Sequence, residues 1–232
     1  MSSLTSVRVT TMPCIGPEHH AHALTGPHTI LVPRMRPADS SELSITPNPV
    51  DNFKELVAII RIAVPYTGMI LSTRESPEMR AELLKVGIRK MSAGSKTDVG
   101  AYHRDQTLAT EENLGEMTGQ FSLQDHRSNP EVVKDLMVNG YVPSWCTACY
   151  RKGRTGEHFM KIAKAGNIHS FCHPNSILSL QEYLKDYGSE KMQKIGAELN
   201  AKEKDSGLTD SAKRMLERKM EKVQKGAHDV CL

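Results

Sequence analysis

The sequence predicts an α/β fold that begins with parallel strands and ends in helices. Three short apolar segments, at 28–32, 68–72 and 87–94, have the length and composition of β-strands. A helical pattern separates each neighbouring pair, and this alternation indicates parallel strands joined by right-handed crossovers. Because three parallel strands leave both sheet edges open, they predict one part of a larger barrel or sheet.

The first intervening helix is predicted from a capping pattern and an apolar face. Asn52 with Glu55 resembles a capping box. Four apolar residues fall on one helical face, namely Phe53, Leu56, Val57 and Ile60.

The second intervening helix has clearer end signals. Ser76 is a suitable N-cap, Pro77 suits the first helical position, and Gly87 can end the helix. Its apolar side comprises Leu83, Leu84 and Val86.

Polar residues follow each predicted strand. In parallel α/β sheets the carboxyl ends of the strands carry the functional site, so these residues are candidates for one. They are Arg34 and Arg36, then Ser72, Thr73 and Arg74, then Ser92 and Ser95.

A second, mostly helical region begins near Gln120. A helix from Asn129-Pro130 to Gly140 turns four apolar residues inward: Val132, Val133, Leu136 and Met137. We expect a short helix over 179–187. A last helix, capped by Asp210 or Ser211, is expected to run to about Lys225 with a solvated, charged face.

Composition excludes several classes of protein. The net charge of +3 over 232 residues is too small to indicate nucleic-acid binding. No apolar run is long enough for a transmembrane helix. The first residues are rich in Ser and Thr but lack the apolar core of a secretory signal.

Three of the five cysteines form the main chemical motif of the chain. Cys146 and Cys149 make a Cys-x-x-Cys pair, and Cys172 follows them. In a reducing compartment, clustered cysteines more often bind metal than form disulfides. Cys14 and Cys231 are isolated near the ends and are interpreted as incidental thiols.

The spacing leaves two kinds of metal site open. Zinc needs four ligands, which the three cysteines and His169 or His173 could supply. A 4Fe–4S cluster held by three thiolates keeps one iron open for a ligand. Nearby cations could offset the negative charge of such a cluster: Arg151, Lys152, Arg154 and Lys161.

Several collinear segments resemble the HydG family of radical-SAM tyrosine lyases, which mature [FeFe]-hydrogenase and are related to the thiazole-synthesis tyrosine lyases with a BATS domain. They are GPHTILVPRMRPAD, AIIRIAVPYTGMILSTRESPEMR, RKMSAGSKTDVGAYH, QFSLQDHRS and CTACYRKGRTGEHFMKIAKAG with FCHPN. The resemblance covers roughly residues 26–225. The three-cysteine motif is the part that the thiazole-synthesis lyases lack.

The resemblance implies a fold, an activity and a set of site residues. The fold is the last three strands of a TIM-type radical-SAM barrel plus a mostly helical auxiliary iron–sulfur domain. The family makes carbon monoxide and cyanide from tyrosine by way of a 5′-deoxyadenosyl radical. Cys146, Cys149 and Cys172 match ligands of an auxiliary 4Fe–4S cluster, which collects these products at an extra iron. Ser72 and Arg74 match positions that hold the tyrosine carboxylate.

The chain also departs from this family. It has no Cys-x-x-x-Cys-x-x-Cys motif for the cluster that cleaves S-adenosylmethionine, so we expect it to be inactive alone and name no catalytic residue. S-adenosylmethionine and that second cluster would belong only to a full-length protein. The family's extra-iron histidine does not align cleanly, which leaves His19, His20 and His22 as candidates.

These observations predict four segments. Residues 1–25 are unrelated to the family or disordered, 26–119 are the end of the barrel, 120–189 are the auxiliary-cluster domain, and 190–232 are charged helices. Expected partners are tyrosine-derived small molecules, hydrogenase maturation proteins and a chain supplying the missing barrel half, without nucleic acid or membrane. The expected compartment is the cytoplasm, or an organelle matrix in a eukaryote. The rival interpretation is a non-enzymatic zinc-binding module.

Overall fold

The computed structural model describes residues 6–10, 27–36, 50–97, 121–206 and 208–232. Its strands are β1 Ser6–Thr10, β2 Thr29–Leu31, β3 Gly68–Leu71, β4 Lys90–Ser92 and β5 Val142–Ser144. Its helices are α1 Val50–Ala63, α2 Pro77–Lys85, α3 Asn129–Val138, α4 Ala148–Arg151, α5 Gly156–Lys164, α6 His169–Tyr187, α7 Glu190–Asp205 and α8 Asp210–Gln224.

The strands form one mixed sheet in the order β2-β3-β4-β1-β5. β2 pairs with β3 in parallel, and β3 pairs with β4 in parallel, as the sequence predicts. The α/β class and the three parallel strands are therefore confirmed. Their closure into a radical-SAM barrel stays a prediction.

The strand β1 is the main departure from the predicted sheet. It lies between β4 and β5 and is antiparallel to both, with Arg8 opposite Lys90 on one side and Ser144 on the other. Ser6–Thr10 form a strand, while the expectation that residues 1–25 are unrelated to the family or disordered stays a prediction for the segment as a whole. The expectation of an open β4 edge is wrong, because β1 pairs with β4. Backbone pairing decides this contact, and any extended segment that reaches the edge can provide it.

Helix α1 begins two residues earlier than its predicted cap. It starts at Val50, so Asn52 lies inside the helix and does not cap it. Phe53 and Val57 are buried as predicted, but Leu56 is exposed. Leu56 therefore does not belong to the buried face.

Helices α2 and α3 begin and end as the sequence predicts. The Ser76 hydroxyl accepts a hydrogen bond from the Met79 amide, and Pro77 opens α2. Ser128 and Glu131 form a capping box at the start of α3, and its four predicted apolar residues are buried. Gly87 and Gly140 follow the two helices in the left-handed region, which glycine adopts without steric cost.

Two helix boundaries in the carboxy-terminal half differ from prediction. The helix expected over 179–187 is the end of α6, which already starts at His169 and carries Cys172. Helix α8 is capped by Thr209, whose hydroxyl accepts from the Ala212 amide, whereas Asp210 is its first residue. Three apolar clusters join the elements, one beneath the sheet and two around α6.

No helix among the described residues is both long enough and apolar enough to span a lipid bilayer.

Candidate metal centre

Cys146 lies just after the last strand and is positioned by α6. The hydroxyls of Ser144 and Ser179 are 3.0 Å apart, and the Ser144 hydroxyl accepts from the Cys146 amide at 3.3 Å. The Ala148 amide donates to the Cys146 sulfur at 3.4 Å. Such a hydrogen bond favours the thiolate, which is the form that binds metal.

Cys149 lies in the short helix α4, which ends in a left-handed glycine. The Gly153 amide donates to the Tyr150 carbonyl, and the Arg154 amide donates to the Cys149 carbonyl at 2.8 Å. Gly153 has a φ of 64°. These two bonds form a Schellman motif, which fixes the end of α4 directly after the Cys-x-x-Cys pair.

Cys146 and Cys149 line one cavity of about 420 Å³. His28, which precedes β2, lies on the same cavity, and its ring centroid is 4.8 Å from that of Phe159. The other lining residues are Tyr150, Arg154, Thr155, Gly156, Glu157 and Met160. The cavity therefore combines two sulfurs, one imidazole, one guanidinium and one carboxylate.

Cys172 lies at the start of α6 and is not among the residues that line this cavity. Its amide donates to the Ile168 carbonyl at 2.9 Å, in the first turn of the helix. The guanidinium of Arg154 lies 4.5 Å above the ring of Phe171, next to Cys172. Among the described residues, no group of three or more His, Cys, Asp or Glu side chains is close enough to hold a metal ion.

The two histidines proposed as zinc ligands face α7. His173 is buried, and its Nε2 lies 3.1 Å from the Glu203 carbonyl oxygen. His169 stacks on His173 with centroids 5.4 Å apart. Burial, and then the neighbouring His173, lower the pKa of His169 against the opposing charge of Glu203. The geometry thus engages His173 with α7 and does not favour it as the fourth zinc ligand.

The polar residues at the strand ends form a second cluster. Arg34, which follows β2, donates through Nε to both carboxylate oxygens of Glu75, at 3.0 and 2.9 Å. Arg36 donates to the same carboxylate at 3.1 Å. Glu75 is buried, so two cations balance its charge, and these arginines are already occupied.

Arg74 differs from its two neighbours. Its guanidinium lies 3.9 Å from the ring centroid of Phe121 and donates to the Arg34 carbonyl at 3.4 Å. The hydroxyl of Ser72 accepts from the Arg74 amide at 3.3 Å. Within the described part of the chain, Arg74 makes no ion pair. Ser72 and Arg74 are therefore close together, and the charge of Arg74 is available to an anion.

The two sites lie at opposite ends of β2. His28 precedes this strand, and Arg34 follows it. Six residues of extended chain span at most about 20 Å. The cysteine cavity and the strand-end cluster are thus separate sites on one sheet.

The chain is similar in sequence to one domain family and to two known enzymes. The Biotin and Thiamin Synthesis associated domain matches residues 32–142. The 2-iminoacetate synthases of Salmonella typhimurium and Escherichia coli are each 32% identical to this chain over 121 residues. That alignment covers 51% of this chain and 29% of each relative.

Two solved structures are similar over most of the chain. A crystal structure of HydG, a maturase of the [FeFe]-hydrogenase, matches with a TM-score of 0.77 and 46% identity, covering 89% of this chain and 43% of that one. The chain resembles the carboxy-terminal part of HydG. HydG from Carboxydothermus hydrogenoformans matches with a TM-score of 0.61 and 36% identity, covering 83% and 39%. The HydG-like chain thus spans less than half the length of these relatives.

The cysteine cavity contains one residue that the sequence did not single out. His28 lies beside Cys146 and Cys149, although the candidate histidines were His19, His20 and His22. Those three lie outside the described residues. The GPHT segment around His28 was part of the resemblance, but no local signal links it to cysteines more than a hundred residues away.

Proposed function

We propose that this chain is the part of a radical-SAM tyrosine lyase that binds an auxiliary 4Fe–4S cluster. The observation that carries the proposal is the shared cavity of Cys146 and Cys149, with Arg154 on its wall and Cys172 on the neighbouring helix. Similarity to HydG and to 2-iminoacetate synthases supports the lyase family. The family implies the finer activity, which makes carbon monoxide and cyanide from tyrosine for hydrogenase cofactor assembly.

The donor set fits an iron–sulfur cluster. Thiolates are the usual protein ligands of iron–sulfur clusters, and three of them leave one iron with an open coordination position. Arg154 supplies a positive charge beside the sulfurs. Cys172, in the first turn of α6, is the third thiolate that we expect to join Cys146 and Cys149 when the cluster binds.

Among the histidines that the structure describes, His28 is the one that lines the cavity of Cys146 and Cys149. Its Nδ1 lies 2.7 Å from the Thr29 hydroxyl. A hydrogen bond to one ring nitrogen of a ligating histidine orients the imidazole. We therefore propose His28 as a further candidate for the extra-iron ligand, beside His19, His20 and His22.

The strand-end cluster suits the carboxylate of tyrosine. A guanidinium pairs well with a carboxylate, and Ser72 can donate a second hydrogen bond. Arg74 is the free cation of this cluster, since Arg34 and Arg36 share Glu75 among the described contacts. Tyrosine-derived products would then pass from this end of β2 to the cysteine cavity at the other.

The test is anaerobic iron–sulfur reconstitution of the wild-type chain and of Cys172→Ala. We expect about four irons and four sulfides per chain in the wild type, with an EPR signal after reduction, and loss of both in the variant. Cys231→Ser is the matched control, because Cys231 is another partly exposed thiol outside the motif. It should keep the full cluster.

A different metal content would contradict the iron–sulfur proposal. About one zinc and no sulfide per chain would replace the cluster with a zinc-binding module. Equal iron in wild type and Cys172→Ala would remove Cys172 from the ligand set. p-Cresol formed from tyrosine and S-adenosylmethionine by this chain alone would contradict its expected inactivity.

We also propose that the open edge of β2 receives the missing half of the barrel. In the described part of the chain, β2 pairs on one side only, and its Leu31 is exposed. One side of α1 exposes Leu56, Ile59 and Ile62, the last at 80%. A parallel sheet is covered by helices on both faces, so a further strand and helix would cover this surface.

The amino-terminal portion of a HydG protein is the probe for this interface. We expect it to bind the chain in a titration, and Ile62→Asp to weaken binding at least ten-fold. Met215→Asp, a change at an exposed apolar residue on α8, is the control. Concentration-dependent dimers of the chain alone, abolished by Ile62→Asp, would instead assign this surface to a second copy.

A further inference from the structure

We propose that residues 229–232 form a strap that holds α4 against α6 and thereby sets the separation of Cys149 and Cys172. The strap follows α8 and returns to the two helices that carry these cysteines. The inference rests on the proposed function, because the separation matters when both sulfurs bind one cluster. Asp229, Arg151 and Asn175 are then positioning residues for the cluster ligands.

On one side, the strap contacts the α4 region through two arginines. Arg151, two residues after Cys149, donates to the Asp229 carbonyl at 2.9 Å and also pairs with the Asp229 carboxylate. Arg154, on the cavity wall, donates to the Leu232 carbonyl at 3.4 Å. Both ends of the strap thus bind the segment that follows the Cys-x-x-Cys pair.

On the other side, the strap contacts α6 through its backbone amides. The Leu232 amide donates to the Asn175 side-chain oxygen at 2.7 Å, and the Val230 amide donates to a Glu182 carboxylate oxygen at 2.8 Å. Asn175 is buried and lies three residues after Cys172. The same four residues of chain therefore connect the flanks of both cysteines.

The conformation of the strap is built into its sequence. Asp229 has a φ of 59°, in the left-handed region that Asp and Asn adopt more readily than most residues. Val230 and Leu232 pack on the apolar cluster that contains Ile177, Leu178 and Leu216. Apolar packing thus holds the strap against α6 and α8, and its polar groups form the hydrogen bonds to the α4 region and to α6.

The test compares the full chain with the double variant Asp229→Asn and Asn175→Ala. Asn keeps the left-handed backbone of Asp229 but removes its charge. In the metal-free variant, the amides of α4 and its end should exchange with solvent about five-fold faster, while α3 amides stay unchanged. After reconstitution, iron should pass to the chelator bathophenanthroline disulfonate about ten-fold faster, with a changed EPR line shape.

Three further variants separate positioning from general destabilisation. Asp229→Glu keeps the charge opposite Arg151 but adopts the left-handed backbone less readily, so its iron loss should lie between that of the wild type and that of the double variant. Asp205→Asn is the matched control, since it removes an exposed carboxylate that pairs with Lys213. Cys231→Ser changes the strap without removing a contact named above, and it should behave as wild type.

The two readouts distinguish failure of this inference from failure of the proposed function. If the wild type binds a cluster, but α4 exchange and iron loss do not change in the double variant, the strap has no positioning role. If the wild type binds no cluster, the proposed function fails, and amide exchange in the metal-free chain still decides whether the strap holds α4. Rapid iron loss together with faster exchange in α3 would show general unfolding and overturn the inference.

Discussion

The two halves of the molecule bury their charges differently. In the half built on β2, β3 and β4, Arg80 and Asp125 form an ion pair with almost no solvent exposure, and Glu75 is buried between Arg34 and Arg36. Around the cysteines, the ion pairs between Lys or Arg and a carboxylate lie at the surface. The side chains of two such pairs are between 39% and 74% exposed, namely Lys161 with Glu157 and Arg151 with Asp229.

This difference indicates which half can rearrange more easily around a ligand. Removing one partner of a buried ion pair lowers the stability of the protein strongly, because the other charge stays in the interior without a partner. The residues around a buried pair are therefore held in one arrangement. Exposed pairs contribute about 0–1 kcal/mol and permit movement. The cysteines lie in the second kind of surroundings, beside a cavity, where a bound cluster can supply the stabilisation that packing does not.

The largest expected effect is the loss of the buried ion pair. In Asp125→Asn, Arg80 keeps its charge in the interior without a carboxylate, which should lower the free energy of unfolding by about 3 kcal/mol. Asp135→Asn is the control, because Asp135 is an exposed partner of Arg127. Urea unfolding measures both, and equal effects of the two substitutions would contradict the contrast between buried and exposed charges.

The second prediction compares core deletions in the two halves. Leu83→Ala removes a fully buried side chain beneath the sheet and should cost about 3 kcal/mol. Met160→Ala, beside the cysteine cavity, should cost about 1–2 kcal/mol, because the residue already borders open space. Thermal or urea unfolding of the metal-free proteins tests the order. A larger loss for Met160→Ala would show that the cysteine half is packed as firmly.

The third prediction concerns acid. Burial alone would raise the pKa of Asp125, but hydrogen bonds from Arg127 and the charge of Arg80 hold it below its usual value. The pKa of an aspartate in an unfolded chain is about 3.9. The contribution of Asp125 is therefore present above that pH and is lost as the pH falls through the lower pKa of the folded state.

We accordingly expect acid to destabilise the wild type more than Asp125→Asn. Unfolding free energies at several pH values between about 5 and 3 measure this difference, since the window lies around and below the unfolded pKa. Parallel curves for the two proteins would show that Asp125 does not titrate differently on folding.

The smallest expected effect tests the cap of α8. Thr209→Ala should cost about 1 kcal/mol, because the Ala212 amide loses its acceptor. Asp210→Ala should cost less, about 0.3–1 kcal/mol, since Asp210 contributes only its charge in the first turn. A larger loss of stability in Asp210→Ala than in Thr209→Ala would indicate that Asp210 caps the helix.

Much of the local structure followed from the sequence. Ser76 and Pro77 marked the start of α2, and alternating elements indicated three parallel strands, because caps and periodicity act over a few residues. The cysteine spacing likewise identified the motif that lines the cavity. Helix starts were less certain where several polar residues could cap, as at Asn52 and Asp210.

Only the tertiary structure decided which distant segments meet. It placed His28 beside Cys146 and Cys149, inserted β1 between β4 and β5, and returned Asp229–Leu232 to α4 and α6. These contacts join residues that are far apart in sequence, and each uses side-chain or backbone groups that occur everywhere in the chain. Their partners are selected by the packing of the whole fold. The sequence by itself therefore determined the local elements and the candidate metal-binding side chains, and the fold determined which residues surround them.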